Sequence, residues 1–264
     1  MVVARSSATR KRHVQQALFR HGGKRKGAGR KPTHDRAGGS HAKRDDISGS
    51  DALHVVLRVV SEVGNLRRRE IYQAVRAASR TAAGSAERRG RFRIVQLSIQ
   101  HNHIHMLVEA ESTADLACGM QGFKISAARN INTALRVGGR RRRGAVFADR
   151  YHLVVIRSPR HARHVLAYVL CNWRKHGEDR SGLPSIWLVD PFSSTVSFAG
   201  WKELAGQPPW KIRPGYHPLI VTAPRSWLLN VGWWRHGAIS VREVPSQRVL
   251  QVARRQASPR ATRP

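Results

Sequence analysis

Two hydrophobic periodicities alternate between residues 51 and 177, and their order limits the fold more than any other feature of the chain. Four short runs are apolar at every second position or almost continuously, which is typical of β-strands. Three longer runs have apolar residues at helical spacing. The order is strand, helix, strand, strand, helix, strand, helix. This order predicts an α+β domain in which helices cover one face of a small antiparallel β-sheet.

The predicted strands have the sequences ALHVVLRVV, RFRIVQLSIQ, HIHMLVEA and VFADRYHLVVI. The first helix is predicted over residues 67–83, followed by a basic loop, SAERRGR. The second helix covers residues 111–135, and one apolar stripe runs along it: Leu116, Met120, Phe123, Ala127, Ile131 and Leu135. The third begins after Ser158, a suitable N-cap, has Pro159 in its first turn and ends before Gly177.

Changes of composition divide the chain into three segments. Residues 1–50 are basic and rich in glycine, with almost no apolar run, so we predict a flexible arm. Residues 51–180 contain the periodic runs and form the predicted folded domain. Residues 181–264 are rich in Trp, Pro and Gly and end in a basic tail; we predict an irregular extension with short helices.

A large excess of positive charge indicates the class of partner. The 264 residues contain 48 Lys and Arg against 16 Asp and Glu, a formal net charge of +32. Such an excess opposes folding unless a polyanion neutralises it, so nucleic acid is the first partner to expect and an anionic membrane surface the second.

The sequence predicts a cytoplasmic, nucleoid-associated protein that does not enter a membrane. It has no run of about 18 apolar residues that would span a bilayer, and its first residues lack the apolar stretch of a secretory signal. The two cysteines, Cys118 and Cys171, lie far apart and have no CxxC partner. This spacing indicates neither a disulfide framework nor a cysteine zinc site.

The stretch HNHIHMLVE contains the first candidate site. Side chains alternate along a strand, so His103 and His105 point to the same face, together with Glu109. Two imidazoles that emerge in parallel can ligate one divalent metal ion. The alternative is that they are surface residues in a chain with 14 histidines. We interpret His101 as a turn residue or as a residue that supports the metal ligands, and we assign no role to Glu109.

The third predicted helix offers partners for these histidines. His164, Tyr168, Asn172 and Lys175 fall on one polar side of that helix, and its other side is apolar. The Asn172 amide oxygen is a potential third metal ligand, with the Tyr168 hydroxyl beside it. Alternatively, Tyr168 is an aromatic residue that packs the helix.

NHIHMLVE followed by RYHLVVIRSPRHARHVLAYVLCNWRKHGE resembles the single-tyrosine HUH (IS200-like) transposases, and among them the REP-associated tyrosine transposases. Members have a His-hydrophobic-His motif on a central strand, here His103 and His105. They also have a tyrosine on a later helix with Asn or Gln four residues beyond it, here Tyr168 and Asn172. The similarity covers roughly residues 51–177, and GGKRKGAGRKP resembles the basic leader of many members.

The resemblance implies a ferredoxin-like HUH endonuclease core that cleaves single-stranded DNA next to hairpins of the REP type. Tyr168 would attack a phosphodiester and form a 5′-phosphotyrosine bond, and another 3′-hydroxyl would reverse the step. A Mg²⁺ or Mn²⁺ ion held by His103, His105 and Asn172 would assist; nitrogen ligands favour Mn²⁺. The sequence leaves open a monomer or a homodimer.

Two basic segments are candidate DNA-binding sites. Arg30 and Lys31, in KGAGRKP, fit a minor groove or hairpin phosphates. A run of four arginines is a candidate phosphate clamp: Arg140, Arg141, Arg142 and Arg143. For both segments the alternative is a solvated charged stretch.

Family members often have Pro directly after the motif Asn, but this chain has Trp173, so we expect the helix to continue for another turn. Two other functions also fit parts of the sequence. HIHMLVE satisfies the HxHxxxE motif of cupin metal enzymes, although the predicted helices argue against a cupin barrel. A related protein that binds hairpins or structured nucleic acid without cutting it would have the same motifs.

Overall fold

A computed structural model describes residues 46–180, 187–204 and 210–245. In chain order its helices and strands are β1 (Ala52–Arg58), α1 (Arg69–Arg89), β2 (Phe92–Ile99), β3 (His103–Ala110), α2 (Thr113–Ala134), β4 (Arg136–Val137), β5 (Arg140–Arg141), β6 (His152–Ile156), α3 (Pro159–Lys175) and α4 (Trp227–Asn230). The candidate DNA-binding residues Arg30 and Lys31 lie outside the described residues.

The main sheet has four antiparallel strands in the order β2-β3-β1-β6. Strand β1 lies beside β3 in a register that pairs Val56 with His105 and Arg58 with His103. With α1 after β1 and α2 after β3, this is the ferredoxin-like arrangement. The predicted α+β class with an antiparallel sheet and packed helices is confirmed, and so is the hairpin of β2 and β3.

One face of the sheet has an apolar core against α1 and α2. Leu53, Val55 and Leu57 of β1 point to this face, with Ile104 and Met106 of β3 beside them. The helices contribute an apolar stripe each, and the stripe of α2 is the predicted one from Leu116 to Ile131. This face therefore stabilises the fold by burial of apolar surface.

The opposite face is covered by α3 and by the extension, which corrects our prediction that helices cover one face. Leu107 and Ile156 pack there against α3 and against the buried Trp201 and Trp233 of the extension. Sequence periodicity does not show on which face a helix packs, because that depends on the connection between the strands.

Helix α1 is longer than predicted, because it continues through the segment that we interpreted as a basic loop. Ala86 is buried in it, and the helix ends at Gly90, whose φ of 67° lies in the left-handed region. Strand β6 is shorter than predicted, starting at His152 rather than Val146. The RRRR region forms a small β4–β5 hairpin that turns at two consecutive positive-φ glycines, Gly138 and Gly139.

Helix α3 follows the prediction closely. The Ser158 side chain accepts a hydrogen bond from the backbone N–H of His161, at 3.2 Å, and Pro159 begins the helix. The helix continues past Asn172 to Lys175, as the presence of Trp173 predicted. Within the described ranges, no helix is long and apolar enough to cross a membrane.

Buried polar contacts attach the extension to the sheet and to the segment that precedes α1. Asp190 is buried and accepts hydrogen bonds from both terminal nitrogens of Arg67, at 3.1 and 2.9 Å. At the other end of β3, Glu109 accepts from Arg93 at 3.1 Å and from the backbone N–H groups of Arg225 and Ser226, both at 2.9 Å. Each carboxylate is buried with its partners, so removal of either partner would leave a buried charge.

Candidate active site

The two histidines of the HxH motif lie at the start of β3 and point to the face that α3 covers. Their Nε2 atoms are 2.9 Å apart. His103 Nδ1 donates to the side-chain oxygen of Asn102 at 2.7 Å. Burial lowers the pKa of His103 to about 4 and the pKa of His105 well below its usual value, and neighbouring positive groups lower both further. Both rings are therefore neutral at pH 7, which is the state that ligates a metal ion.

His54 extends this pair into a row of three imidazoles, and sequence reasoning missed it. It lies on β1, fully buried, with its Nε2 3.1 Å from His105 Nδ1 and its ring stacked on that of His105. Burial lowers its pKa to about 3. The available signal was a lone histidine in the apolar run ALHVVLR, but its contact with His105 depends on the β1–β3 register.

The hydrogen bonds determine the proton positions in this row. Asn102 Oδ1 can only accept, so His103 carries its proton on Nδ1 and offers the lone pair of Nε2. His105 Nε2 then donates to His103, and His54 Nε2 donates to His105 Nδ1. This leaves His54 Nδ1 as a buried acceptor without a hydrogen-bond partner among the described residues.

Helix α3 places Tyr168 against the histidine row. The Tyr168 ring meets the His105 ring edge to face at a centroid distance of 5.2 Å, and the His54 ring at 6.2 Å. Tyr168 is 5 % exposed, so the side that we predicted to be polar faces the sheet and not solvent. Burial raises the pKa of its hydroxyl, and the nearby Asn172 amide partly opposes that increase.

Asn172 lies one helical turn beyond Tyr168, and its side chain is fully buried. Among the described residues, no group meets its amide oxygen or its amide nitrogen in good hydrogen-bond geometry, and its interaction with the Tyr168 hydroxyl is only the weak one that partly lowers that pKa. A buried amide without partners costs roughly 1–3 kcal/mol, so a side chain in this state is a candidate for binding something else.

Positive groups surround the open side of the histidine pair. Lys175 Nζ lies 5.1 Å from the centre of the Tyr168 ring, and partial burial lowers the pKa of its ammonium group. Arg58 is exposed next to His103 in the sheet, and its charge contributes to the low pKa of that histidine, as does His176. These groups suit a phosphate-bearing ligand.

The donor set fits a divalent metal ion. Two ligand atoms at right angles around an ion, each about 2.1 Å from it, are about 3 Å apart; the two Nε2 atoms are 2.9 Å apart. Asn172 adds an amide oxygen whose hydrogen-bonding capacity is unused in the described part of the chain. Residues 46–180, 187–204 and 210–245 contain no convergent group of three or more His, Cys, Asp or Glu, so a third ligand from these residues would be of another type, such as this amide.

Glu109 shares the face of His103 and His105 but does not belong to the site. Its carboxylate is engaged by Arg93 and by the backbone of residues 225–226 at the far end of β3. The HxHxxxE motif is therefore not a set of metal ligands. The ferredoxin-like sheet with packed helices also excludes the cupin alternative.

The four candidate arginines after α2 differ in their environments. Arg140, Arg141 and Arg143 are exposed. The Arg142 guanidinium donates to the Asn132 side chain at 2.8 Å and to a backbone carbonyl, so it also holds the hairpin on α2. The chain then pairs with the end of β1 near Arg58, which places the hairpin's exit at the His103 end of the sheet.

Known proteins that are similar to parts of this chain include one family and several solved structures. A family described as "Transposase IS200 like" matches residues 52–171, a range that includes the histidine row and Tyr168 and ends one residue before Asn172. No curated protein matches the chain.

Two solved structures are similar to the chain. One is a REP-associated tyrosine transposase bound to a REP hairpin, with 19 % identity and a TM-score of 0.42; the similarity covers 60 % of this chain and 84 % of that one. The other is a proposed transposase from Deinococcus radiodurans R1, with 12 % identity and a TM-score of 0.32; it covers 55 % of this chain and 99 % of that one.

Proposed function

We propose, because residues 52–171 match the IS200-like transposase family, that this protein is a single-tyrosine HUH transposase that cuts and rejoins single-stranded DNA. The observation that carries the proposal is the contact of the Tyr168 ring with His105, whose Nε2 lies 2.9 Å from that of His103. The tyrosine ring and the pair of neutral imidazoles thus lie on one face of the sheet.

Tyr168 is the nucleophile in this proposal. Its hydroxyl oxygen attacks the phosphorus of a phosphodiester and forms a 5′-phosphotyrosine bond, while the bond from phosphorus to the 3′-oxygen breaks. The phenolic proton leaves the tyrosine, and the departing oxygen takes up a proton to become a 3′-hydroxyl. Burial keeps the hydroxyl protonated at pH 7, so its proton must leave as the attack proceeds.

His103, His105 and Asn172 are the proposed ligands of Mg²⁺ or Mn²⁺. Such an ion supplies a positive charge that polarises the scissile phosphate and stabilises the leaving oxygen. Both Nε2 atoms need free lone pairs for this role. With the ion bound, His105 would carry its proton on Nδ1 instead of Nε2 and would donate a hydrogen bond to His54 Nε2. His103 would keep its proton on Nδ1 and its hydrogen bond to Asn102.

The surrounding cations hold the DNA in our proposal. Lys175 beside Tyr168, Arg58 beside His103 and the exposed arginines 140, 141 and 143 supply phosphate contacts. Arg30 and Lys31 are proposed to add contacts from the N-terminal arm. The proposed substrate is single-stranded DNA next to a REP-like hairpin, in accordance with the motifs shared with REP-associated tyrosine transposases and with the charge of +32.

A covalent-adduct assay tests this function. Purified protein is incubated with labelled hairpin oligonucleotides that have single-stranded flanks, in Mn²⁺, Mg²⁺ or EDTA, and run on a denaturing gel. We expect a shifted band with either metal, and no band in EDTA, with Tyr168→Phe or with His103→Ala. Tyr151→Phe is the matched control and should keep the band.

Two further results separate the proposed enzyme from a binding protein. Mn²⁺ binding, followed by electron paramagnetic resonance, should weaken strongly in His103→Ala and remain in Tyr168→Phe. A wild-type protein that binds the hairpins tightly but never forms the band, over a broad set of flanks, would instead be a non-cleaving hairpin-binding protein.

A further inference from the structure

Two tryptophans of the extension are exposed to an unusual degree for their size. Trp227 is 47 % exposed and Trp234 is 45 % exposed, and the Arg235 guanidinium lies 4.8 Å from the centre of the Trp227 ring. We call Trp227, Trp234 and Arg235 the aromatic patch. Packing of the apolar core does not explain why these two indoles are exposed.

Both indoles are nevertheless held in place. Trp234 stacks on the buried Trp233, at a centroid distance of 4.2 Å and an interplanar angle of 26°. Trp227 lies against bare backbone at Gly232, where an added Cβ would be 2.8 Å from its ring. The rings are therefore exposed but fixed, and a ligand that stacks on them loses little side-chain entropy from the protein.

The charge of the segment that contains the aromatic patch indicates which class of ligand it binds. Residues 210–245 contain five Lys and Arg and one acidic residue, Glu243, which already pairs with Arg163 at 2.7 Å. A second copy of the chain, with the same net charge of +32, would be repelled. A polyanion with flat faces fits best, because fixed aromatic rings and an arginine are the parts of a stacking platform for bases.

The patch lies toward the end of β3 that is opposite to His103. The Ser226 N–H, next to Trp227, donates to Glu109 at one end of β3, and His103 lies at the other end. Six residue steps of about 3.3 Å place these ends about 20 Å apart. Roughly six stacked nucleotides span that distance.

We propose that the aromatic patch binds unpaired bases of single-stranded DNA by stacking, on a segment that flanks the one that Tyr168 attacks. This inference rests on the proposed function for its choice of DNA. It gives the extension a role in holding the strand that flanks the reaction site.

The test compares two oligonucleotides of about 20 nucleotides with the same phosphate charge, one of thymidine and one of abasic sites. Binding to the full chain is measured by fluorescence anisotropy at fixed salt. We expect wild-type protein to prefer the thymidine strand. Trp227→Ala and Trp234→Ala should each weaken its binding at least about fivefold and leave abasic binding unchanged.

Three controls make the result decisive. Trp227→Phe and Trp234→Phe keep an aromatic face and should retain most of the preference, which guards against misfolding of the alanine variants. Val231→Ala removes an exposed side chain of the same region without a π-face and should change neither affinity. An equal loss for both oligonucleotides would overturn the proposal, as would alanine variants that lose self-association while binding DNA normally.

Failure of this inference and failure of the proposed function give different results. The tryptophan variants should still form the Tyr168 adduct at saturating DNA. If no adduct forms in any protein but the base preference depends on Trp227 and Trp234, the patch is correct and the nuclease is wrong. If the adduct forms but the base preference is absent, the nuclease is correct and the patch is wrong.

Discussion

The two faces of the sheet are built from the same strands but differ in the side chains that they bury. On the face toward α1 and α2, alternate residues of β1 and β3 are apolar and buried, such as Leu53, Val55 and Ile104. On the face toward α3, the intervening residues include His54 and His105, which are also buried. The first face gains stability from burial, whereas the second has buried polar groups without partners among the described residues. The comparison suggests that the α3 face sacrifices stability for its chemistry.

The largest effect that we predict on stability belongs to the apolar face. Ile104→Ala should lower the free energy of unfolding by about 2–5 kcal/mol, because it leaves a cavity in a fully packed core. His103→Ala, one residue away on the other face, should cost only about 1 kcal/mol for a lost hydrogen bond. Chemical denaturation of both variants measures the difference. Similar costs would contradict the contrast between the faces.

The α3 face should make the protein sensitive to acid. The pKa of His54 is about 3 in the folded chain and near 6.5 when unfolded. Below pH 6.5 the unfolded chain therefore binds the extra proton, and stability falls as the pH decreases toward 3. Between pH 6.5 and 4.5, His54 alone should account for a loss of about 2 kcal/mol.

His54→Gln checks this prediction, because glutamine does not titrate. Its free energy of unfolding should decrease less between pH 6.5 and 4.5 than that of the wild type. An unchanged slope in His54→Gln would show that His54 is not neutral in the fold.

Removal of the Asn172 amide should raise stability and abolish activity. Asn172→Leu keeps a branched side chain and eliminates a buried amide without described partners, so we expect a gain of about 1 kcal/mol in metal-free protein. Metal-dependent adduct formation should be lost. Thermal unfolding in EDTA measures the first effect and the gel assay the second. A variant less stable than the wild type would indicate that the amide is satisfied in the fold.

The smallest predicted effect concerns Lys175. Lys175→Met keeps the aliphatic stem but removes the ammonium group 5.1 Å from the Tyr168 ring. The rate of adduct formation should fall about fivefold, in keeping with a contact worth about 1 kcal/mol. Lys202→Met, an exposed position in the extension, should leave the rate unchanged. Equal effects of the two substitutions would mean that Lys175 acts only through the overall positive charge of the protein.

Local features of the sequence were enough for part of this description. Side-chain alternation places His103 and His105 on one face, and the i, i+4 spacing places Tyr168 and Asn172 on one side of α3. The caps at Ser158 and Gly177 correctly bounded that helix. Each inference uses residues within one element, where the sequence spacing determines the geometry.

The missed features all depend on contacts between distant segments. His54 joins the histidine row through a partner 51 residues away. The apolar side of α3 is buried in one cluster with Trp201 and Trp233 of the extension. The apolar residues of the extension do not recur with a period of 2 or 3.6, so its packing could not be predicted from the sequence.

The buried pair of Arg67 and Asp190 also affects how the protein is made. Its partners are 123 residues apart, and Tyr72 donates to the backbone of a residue 145 positions later. A ribosome adds about 5–20 residues per second, so Arg67 waits roughly 6–25 s for its carboxylate to be synthesised. During that interval the sheet has a bare face and unpaired charges. The nascent chain should therefore be the stage most exposed to aggregation, and chaperones or bound nucleic acid would matter most before synthesis ends.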